Sequence, residues 1–485
     1  MLTFAFENDF ILLYSLEFFF LLVTVVSFVY FTALLSFSSL AFPCSLNISA
    51  CFNLFLLAFV IIAFMFSTHV MLEKFHFFDT FIKIFTLFSL FVLIISSKPI
   101  LYSQKIFSFE YDFFVVFSAF GLILLICSKD FLLLYLALEI QTLCFYVLSS
   151  YCKNSSYSVE AGLKYFVIGA LFSCVFLLGV SLLYLFCGSI IFTDILDLYV
   201  FSSLISSFFP FILIIATFFF KLGAFPFHFW VCDVYEGSLV TVTALFSLIP
   251  KLTLVALLSK LLLIVFFSLL ECSYYFFIFC GLGSVIFGAL AGLYQKRLKR
   301  LLNYSGISHI GFVILAFCSI CYFSLKAAVT YILIYVLMTL CLFVLLFKLL
   351  VKNYFPKYLI NYSALYLRNI CFGFSFSLLL FCNAGIPPFA GFYSKLCVFF
   401  AILTKKFIIS SLFLVFLSCL TCYYYIRLIK IICFRQVHST PVWLGKANTS
   451  LVDTFLSLSL WFLTFLLCRP YLLLSFTSLI SLKFT

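Results

Sequence analysis

The chain has 485 residues, of which 66% are hydrophobic and 9% charged, with 75 phenylalanines and a mean hydropathy of +1.32. Soluble proteins are nearer half apolar and a quarter charged, so a water-facing globule and an intrinsically disordered chain are both excluded. The 28 Lys and Arg exceed the 16 Asp and Glu, for a formal charge of +12, but they form no basic block; this excludes a nucleic-acid binder and points to loops of a membrane protein.

The chain opens on Met1 to Asp9, with Glu7 and Asp9 where a cleavable signal needs basic residues; no removable leader is expected. A helix needs about 20 apolar residues to cross the hydrocarbon core. Runs of that length predict spans near 11–31, 50–68, 77–97, 111–128, 130–151, 160–186, 204–230, 237–266, 272–294, 300–322, 325–349, 370–403, 407–434 and 451–480. The expected fold is therefore all-α and polytopic, with about fourteen transmembrane helices. The longest connections, 32–49, 187–203 and 350–369, leave no room for a soluble domain. Basic residues concentrate in the odd-numbered loops, among them Lys98, Lys153, Lys164, Lys296, Arg297, Lys299, Arg300, Lys357 and Arg427. The positive-inside rule then puts those loops on the cytoplasm-like side and both termini opposite.

Five lysines fall within spans: Lys83, Lys221, Lys251, Lys260 and Lys395. A charge at bilayer depth costs about 2.5 to more than 10 kcal/mol and persists only with compensation. Lys83 lies one turn from Asp79, which suits pairing or snorkelling. Glu139 is the only acid in mid-span. One buried acid against several buried bases argues for proton or ion transfer, with a structural pair as the alternative. Glu160 and Lys164, one turn apart, read first as a local ion pair.

The seventh span contains Lys-Leu-Gly-Ala-Phe-Pro-Phe-His with Gly223 and Pro226; the twelfth contains Gly385, Pro387, Pro388 and Gly391 just before Lys395. Proline inside a helix removes a backbone hydrogen bond, and in lipid the freed carbonyls need a side chain, water or a cavity. The two segments share Gly-x-x-Pro-Phe and lie five spans apart in the series. Units with an odd number of helices are inverted when repeated, and paired broken helices mark ion pathways; two unrelated kinks remain the alternative. On this basis the chain divides into three helices over 1–109, a first repeat over 110–270, a second over 271–435, and a C-terminal loop and helix over 436–485.

Most of the 20 cysteines lie in apolar runs, where Cys behaves as a small hydrophobe, so no disulfide framework is expected. Cys318/Cys321 and Cys419/Cys422 have C-x-x-C spacing, but nothing nearby completes four metal ligands. The excess of Phe, Tyr and Cys suggests a T-rich coding sequence and hence a mitochondrial inner membrane. A bacterial plasma membrane and a plastid thylakoid are the alternatives.

The segment from Lys221 to Lys251, with Asp233-Val-Tyr-Glu-Gly237 inside it, resembles the antiporter-like, proton-pumping membrane subunits of respiratory complex I. Within them it is most similar to the branch called subunit 2, or N in bacteria. Leu138-Glu139, Glu160 to Phe166, Lys299 to His309 and Gly385 to Phe392 carry the same resemblance, which spans about residues 110–435. It implies fourteen helices with inverted repeats of helices 4 to 8 and 9 to 13. It also implies a relay of Glu139, Lys221, Lys251 and Lys395, with His228, His309, Lys164 and Lys260 in secondary relay or gating positions. His228 either gates uptake or caps the broken helix. Cys232, Ser238-Leu239 and Gly306 depart from the family's usual residues. The chain itself is expected to bind no redox cofactor or metal: NAD, FMN, iron–sulfur clusters and ubiquinone belong to partner subunits. The neighbours implied are the subunit 4 and 4L-like chains, accessory subunits and lipids, with the termini on the intermembrane-space side. A multi-subunit cation/proton antiporter and a non-pumping structural subunit are the rival readings.

Overall fold

The computed structural model describes residues 76–104, 109–198, 204–266, 269–318, 322–350, 357–363, 365–434, 443–444 and 450–466. The first two predicted spans, the N-terminal start, Cys321 and the end of the last span lie outside the described residues. So do several of the loop charges, Lys105, Arg435 and Lys446 among them.

The remaining spans appear as helices in the expected order. They are α1 (His76–Ser103), α2 (Phe109–Cys127), α3 (Phe131–Ser149), α4 (Ser156–Cys187), the short α5 (Phe192–Leu198) and α6 (Leu204–Leu222). After them come α7 (Phe229–Gly237), α8 (Val240–Ile264), α9 (Leu270–Leu293), α10 (Leu298–Ala316) and α11 (Tyr322–Phe347). The chain continues with the short α12 (Leu365–Arg368), then α13 (Ile370–Ala384), α14 (Ala390–Thr404), α15 (Ile408–Phe434) and α16 (Ser450–Phe465). Among the described residues, eight helices are long and apolar enough to cross a membrane: α1 to α4, α8, α9, α11 and α15. Two predicted connections hold structure of their own. The 187–203 segment contains α5, tied back to the start of α3 by an Asp130–Ile191 bridge. The 350–369 segment follows a two-residue antiparallel ladder, Leu349–Leu350 with Trp443–Leu444, and carries a 3-10 turn at Leu359–Tyr362 before α12.

Burial sorts the helices into a centre and a rim. The span in α8 is 100% buried and that in α11 is 89% buried, and the two pack on each other. The span in α4 is only 28% buried and that in α15 39% buried, so these rim helices turn Leu, Phe and Ile side chains outward, as lipid or a neighbouring apolar chain requires. Aromatic pairs fill the interior, for example Phe172 on Phe220 at 4.1 Å and Tyr165 on Trp230 at 4.7 Å. The tenth predicted span, α10, buries Asn303, Ser305, Ser308 and His309. Ser305 and Ser308 return their hydroxyls to carbonyls of their own helix, so Asn303 and His309 are the side chains that carry polarity into the interior.

Candidate functional site

The two Pro-containing spans are broken in the same way. α6 stops at Leu222, with Gly223 at φ 73°; α13 stops at Ala384, with Gly385 at φ 76°. Ala224 N donates to Phe219 O and Gly223 N to Phe220 O. In the second break Ile386 N donates to Phe381 O and Gly385 N to Cys382 O. Both are Schellman closures, which need a left-handed residue and therefore favour glycine there. Carbonyls at each break also receive side chains. The Trp230 indole Nε1 donates to Phe220 O at 3.0 Å. The Lys395 Nζ donates to Ala384 O at 2.7 Å, and the Cys422 thiol donates to the same oxygen. The two breaks thus place Lys221 on the turn before one and Lys395 on the turn after the other.

Lys251 sits in the middle of α8, 3% exposed, one residue after Pro250. Its Nζ donates to the Tyr335 hydroxyl at 3.3 Å. His309 on α10 is hydrogen-bonded through Nδ1 to the Tyr331 hydroxyl at 2.8 Å, and its Nε2 lies 3.5 Å from the Tyr425 hydroxyl. Tyr331 and Tyr335 are one turn apart on α11, so one helix face links Lys251 to His309. A small cavity between α8, α10, α11, α13 and α15 is lined by Lys251, His309, Tyr335, Tyr425, Asn303 and Asn383, among others. Lys395 lies beyond it, 5.6 Å from the Phe312 ring centre.

Glu139 is half-buried on α3. It shares its helix face with the exposed Leu132, Leu136 and Leu143. Its charge reaches Lys221, and also Tyr135 and Tyr165. The acid therefore stands between Lys221, itself half-buried, and an outward-facing apolar surface. His228 ends the first break; its side chain makes no capping hydrogen bond to α7, its Nδ1 is buried without a hydrogen-bond partner, and its ring packs on Phe229 and Phe287.

The remaining sequence candidates are ion-paired. Lys164 bridges Glu160 at 2.7 Å, as the spacing suggests, and also Asp233 at 3.1 Å. Lys260 donates to Asp79 on α1 at 2.8 Å and to Ile126 O at 3.2 Å. Asp79, one turn from Lys83 in sequence, is thus engaged across the bundle.

Three features escaped sequence reasoning. Asp233-Val-Tyr-Glu-Gly237 reads there as a family marker, whereas in the structure Glu236 joins Arg297 and Arg300, and Asp233 joins Lys164 and Arg300. The Glu236 hydrogen bond holds the Arg297 guanidinium above its usual value. Opposite charges in two short loops on the same predicted side were the available signal. The tyrosines of α11 and α15 were lost among 28 in the chain. Gly306, noted as a departure, lies directly against Lys251: a Cβ there would sit 3.0 Å from its Nζ.

Among the described residues the cysteines are free and no three His, Cys, Asp or Glu side chains gather as a metal site would need.

A family profile described as NADH:quinone oxidoreductase/Mrp antiporter, transmembrane, matches residues 128–421. The chain is 35% identical over 372 residues to NADH-ubiquinone oxidoreductase chain 2 of Marchantia polymorpha, covering 75% of this chain and 74% of that one. It is 33% identical over 346 residues to NADH-quinone oxidoreductase subunit N of Paramagnetospirillum magneticum, covering 70% and 71%. In fold it is similar to a chain of respiratory complex I from Thermus thermophilus, with a TM-score of 0.75, 24% identity, and coverage of 93% of this chain and 98% of that one.

Proposed function

The chain belongs to the NADH:quinone oxidoreductase/Mrp antiporter family of membrane subunits, and from that premise we propose that it is the subunit 2, or N, of a respiratory complex I and moves protons across the membrane. Quinone reduction elsewhere in the assembly supplies the energy. Its similarity to the Marchantia and Paramagnetospirillum chains, at 35% and 33% identity, favours this branch over a cation/proton antiporter.

One observation carries the reading. Lys221, Lys251 and Lys395 occupy a helix break, the fully buried central helix and a second break, and Glu139 is, among the described residues, the acid that acts electrostatically on Lys221. A lysine at such a depth holds its proton only while an opposite charge is near. When Glu139 is drawn toward a charge on a neighbouring subunit, Lys221 is left desolvated and releases its proton inward. Lys251 takes it up, Tyr335, Tyr331 and His309 line its way, and Lys395 passes it to the far side. The Ala384 carbonyl, which cannot hold a proton, keeps Lys395 in place while its charge changes. The outward apolar face around Glu139 suits a small helical membrane-arm neighbour of the 4L type, and the rim helix α15 suits a subunit 4-like chain or lipid. We assign the two inverted repeats to 110–270 and 271–435, on the strength of the matching breaks. The membrane is assigned as the mitochondrial inner membrane, with the termini on the intermembrane-space side. NAD, FMN, iron–sulfur clusters and ubiquinone are assigned to partners.

Lys221→Met tests the reading. In the assembled complex reconstituted into vesicles, fewer protons should be moved per NADH oxidised. A proton yield equal to that of the unaltered complex sinks it, and a yield that depends on Na+ instead favours antiport.

A further inference from the structure

The relay has a discontinuity. Lys251 is bonded to Tyr335, and His309 to Tyr331 and Tyr425, but no direct hydrogen bond joins the lysine to the imidazole among the described residues. Both side chains line one cavity, and so do Asn303 of α10 and Asn383 of α13. Asn303 is 6% exposed and Asn383 2% exposed. The Nδ2 of Asn303 is a buried donor without a partner, and the Oδ1 of Asn383 is a buried acceptor without one. Buried polar groups in folded proteins are almost always paired, often through ordered water, because an unpaired one forfeits its hydration with nothing in exchange. The space open to the centre of a water molecule is about 20 Å³, against roughly 10–15 Å³ that one water needs. Gly306 keeps that space clear, because a Cβ there would lie 3.0 Å from Lys251 Nζ and 3.2 Å from the Tyr335 hydroxyl.

We propose that Asn303 and Asn383 are positioning residues that jointly hold one water through which Lys251 passes its proton to His309. The inference rests on the proton-pumping reading above and adds the element that closes its gap. The water accepts from Asn303 Nδ2 and donates to Asn383 Oδ1, which leaves it one lone pair and one O–H for the relay. In the transfer an N–H bond of the Lys251 ammonium breaks and an O–H bond forms on the water. One of the water's original O–H bonds then breaks toward His309 Nε2, whose lone pair is released from its long 3.5 Å contact with the Tyr425 hydroxyl, so lysine ends neutral and imidazole becomes imidazolium. Neither amide titrates, so the pair orients the water without trapping the proton, as a carboxylate there would. Asn383 also precedes Ala384, whose carbonyl holds Lys395, so a shift of Lys395 is transmitted to the water.

The test uses the assembled complex in vesicles, with protons per NADH as the readout. Asn303→Leu and Asn383→Leu keep the volume and remove the hydrogen bonds; each should lower the yield to that left by Lys251→Met. The double variant should fall no further than either single. Asn303→Ser and Asn383→Ser, smaller but polar, should regain yield over the leucines, the reverse of what a packing role predicts. Where a leucine variant does not assemble, Gly306→Val replaces it, filling the cavity from the α10 side with the same expected loss. Full yield in the leucine or valine variants, losses that multiply in the double, or serine variants as impaired as leucine overturn the proposal. Lys221→Met, run beside them, separates the failures: if it too retains full yield, the pumping reading falls; if it alone loses yield, only the bridge falls.

Discussion

Removing the Asp79 carboxylate should destabilise the chain far more than removing the whole pair it forms with Lys260. The Nζ–Oδ2 distance is 2.8 Å and the two side chains are 8–10% exposed. At an effective dielectric of about 20, two unit charges at that separation attract by about 6 kcal/mol. Desolvating each ion costs several kcal/mol, so the intact pair nets little. Asp79→Leu leaves the Lys260 charge against the Ile126 carbonyl without its carboxylate, and stranding one member of a buried pair costs about 3–5 kcal/mol. Asp79→Leu combined with Lys260→Met removes both charges and should cost less than either single change. The cycle is measured by the loss of this chain from the purified complex on heating or in graded detergent, with all four variants side by side. A single-variant cost below about 1 kcal/mol, or a double variant as damaged as the sum of the singles, refutes the account. The same double variant also decides what Lys260 does. As a clamp between α1 and α8 it is dispensable for pumping once its partner is gone; as a relay member it is not, and the proton yield falls.

Two other outcomes follow from the geometry. Glu236→Gln releases Arg297 and Arg300 at the loop ends; because these groups are partly solvated, the loss should be about 1 kcal/mol and shrink in high salt, as read from stability at two ionic strengths. Trp230→Phe keeps the ring against Tyr165 and Phe220 but removes one of the two donors to the Phe220 carbonyl, leaving Gly223 N; a cost of about 1 kcal/mol with lowered proton yield is expected, and an unchanged variant would show that this donor does not hold the break.

Most of the helices were legible because lipid imposes one rule on every span: an apolar run of fixed length with its backbone bonds closed internally. Spans such as 77–97 and 407–434 reappear as α1 and α15 within a few residues. The breaks at Gly223 and Gly385 were legible too, since Gly and Pro act through local backbone geometry. The short α5 was not, because a seven-residue helix in a loop leaves too little periodicity to see.

Lys221, Lys251, Lys395 and Glu139 announced themselves because a charge inside an apolar run is costly wherever the run packs. The sequence by itself therefore determined the membrane class, the succession of helices, the broken spans and the charged positions on which the proposed relay depends. Pairing was decided only by the tertiary structure. Asp79, one turn from Lys83, bonds Lys260, 181 residues away; Glu236 meets Arg297 and Arg300 across two loops; and Tyr331, Tyr335 and Tyr425 bond Lys251 and His309 in the interior while chemically identical tyrosines elsewhere face outward. A hydrogen bond is set by angstroms between helices, and a one-dimensional pattern carries the cost of burying a group but not the identity of the partner that offsets it.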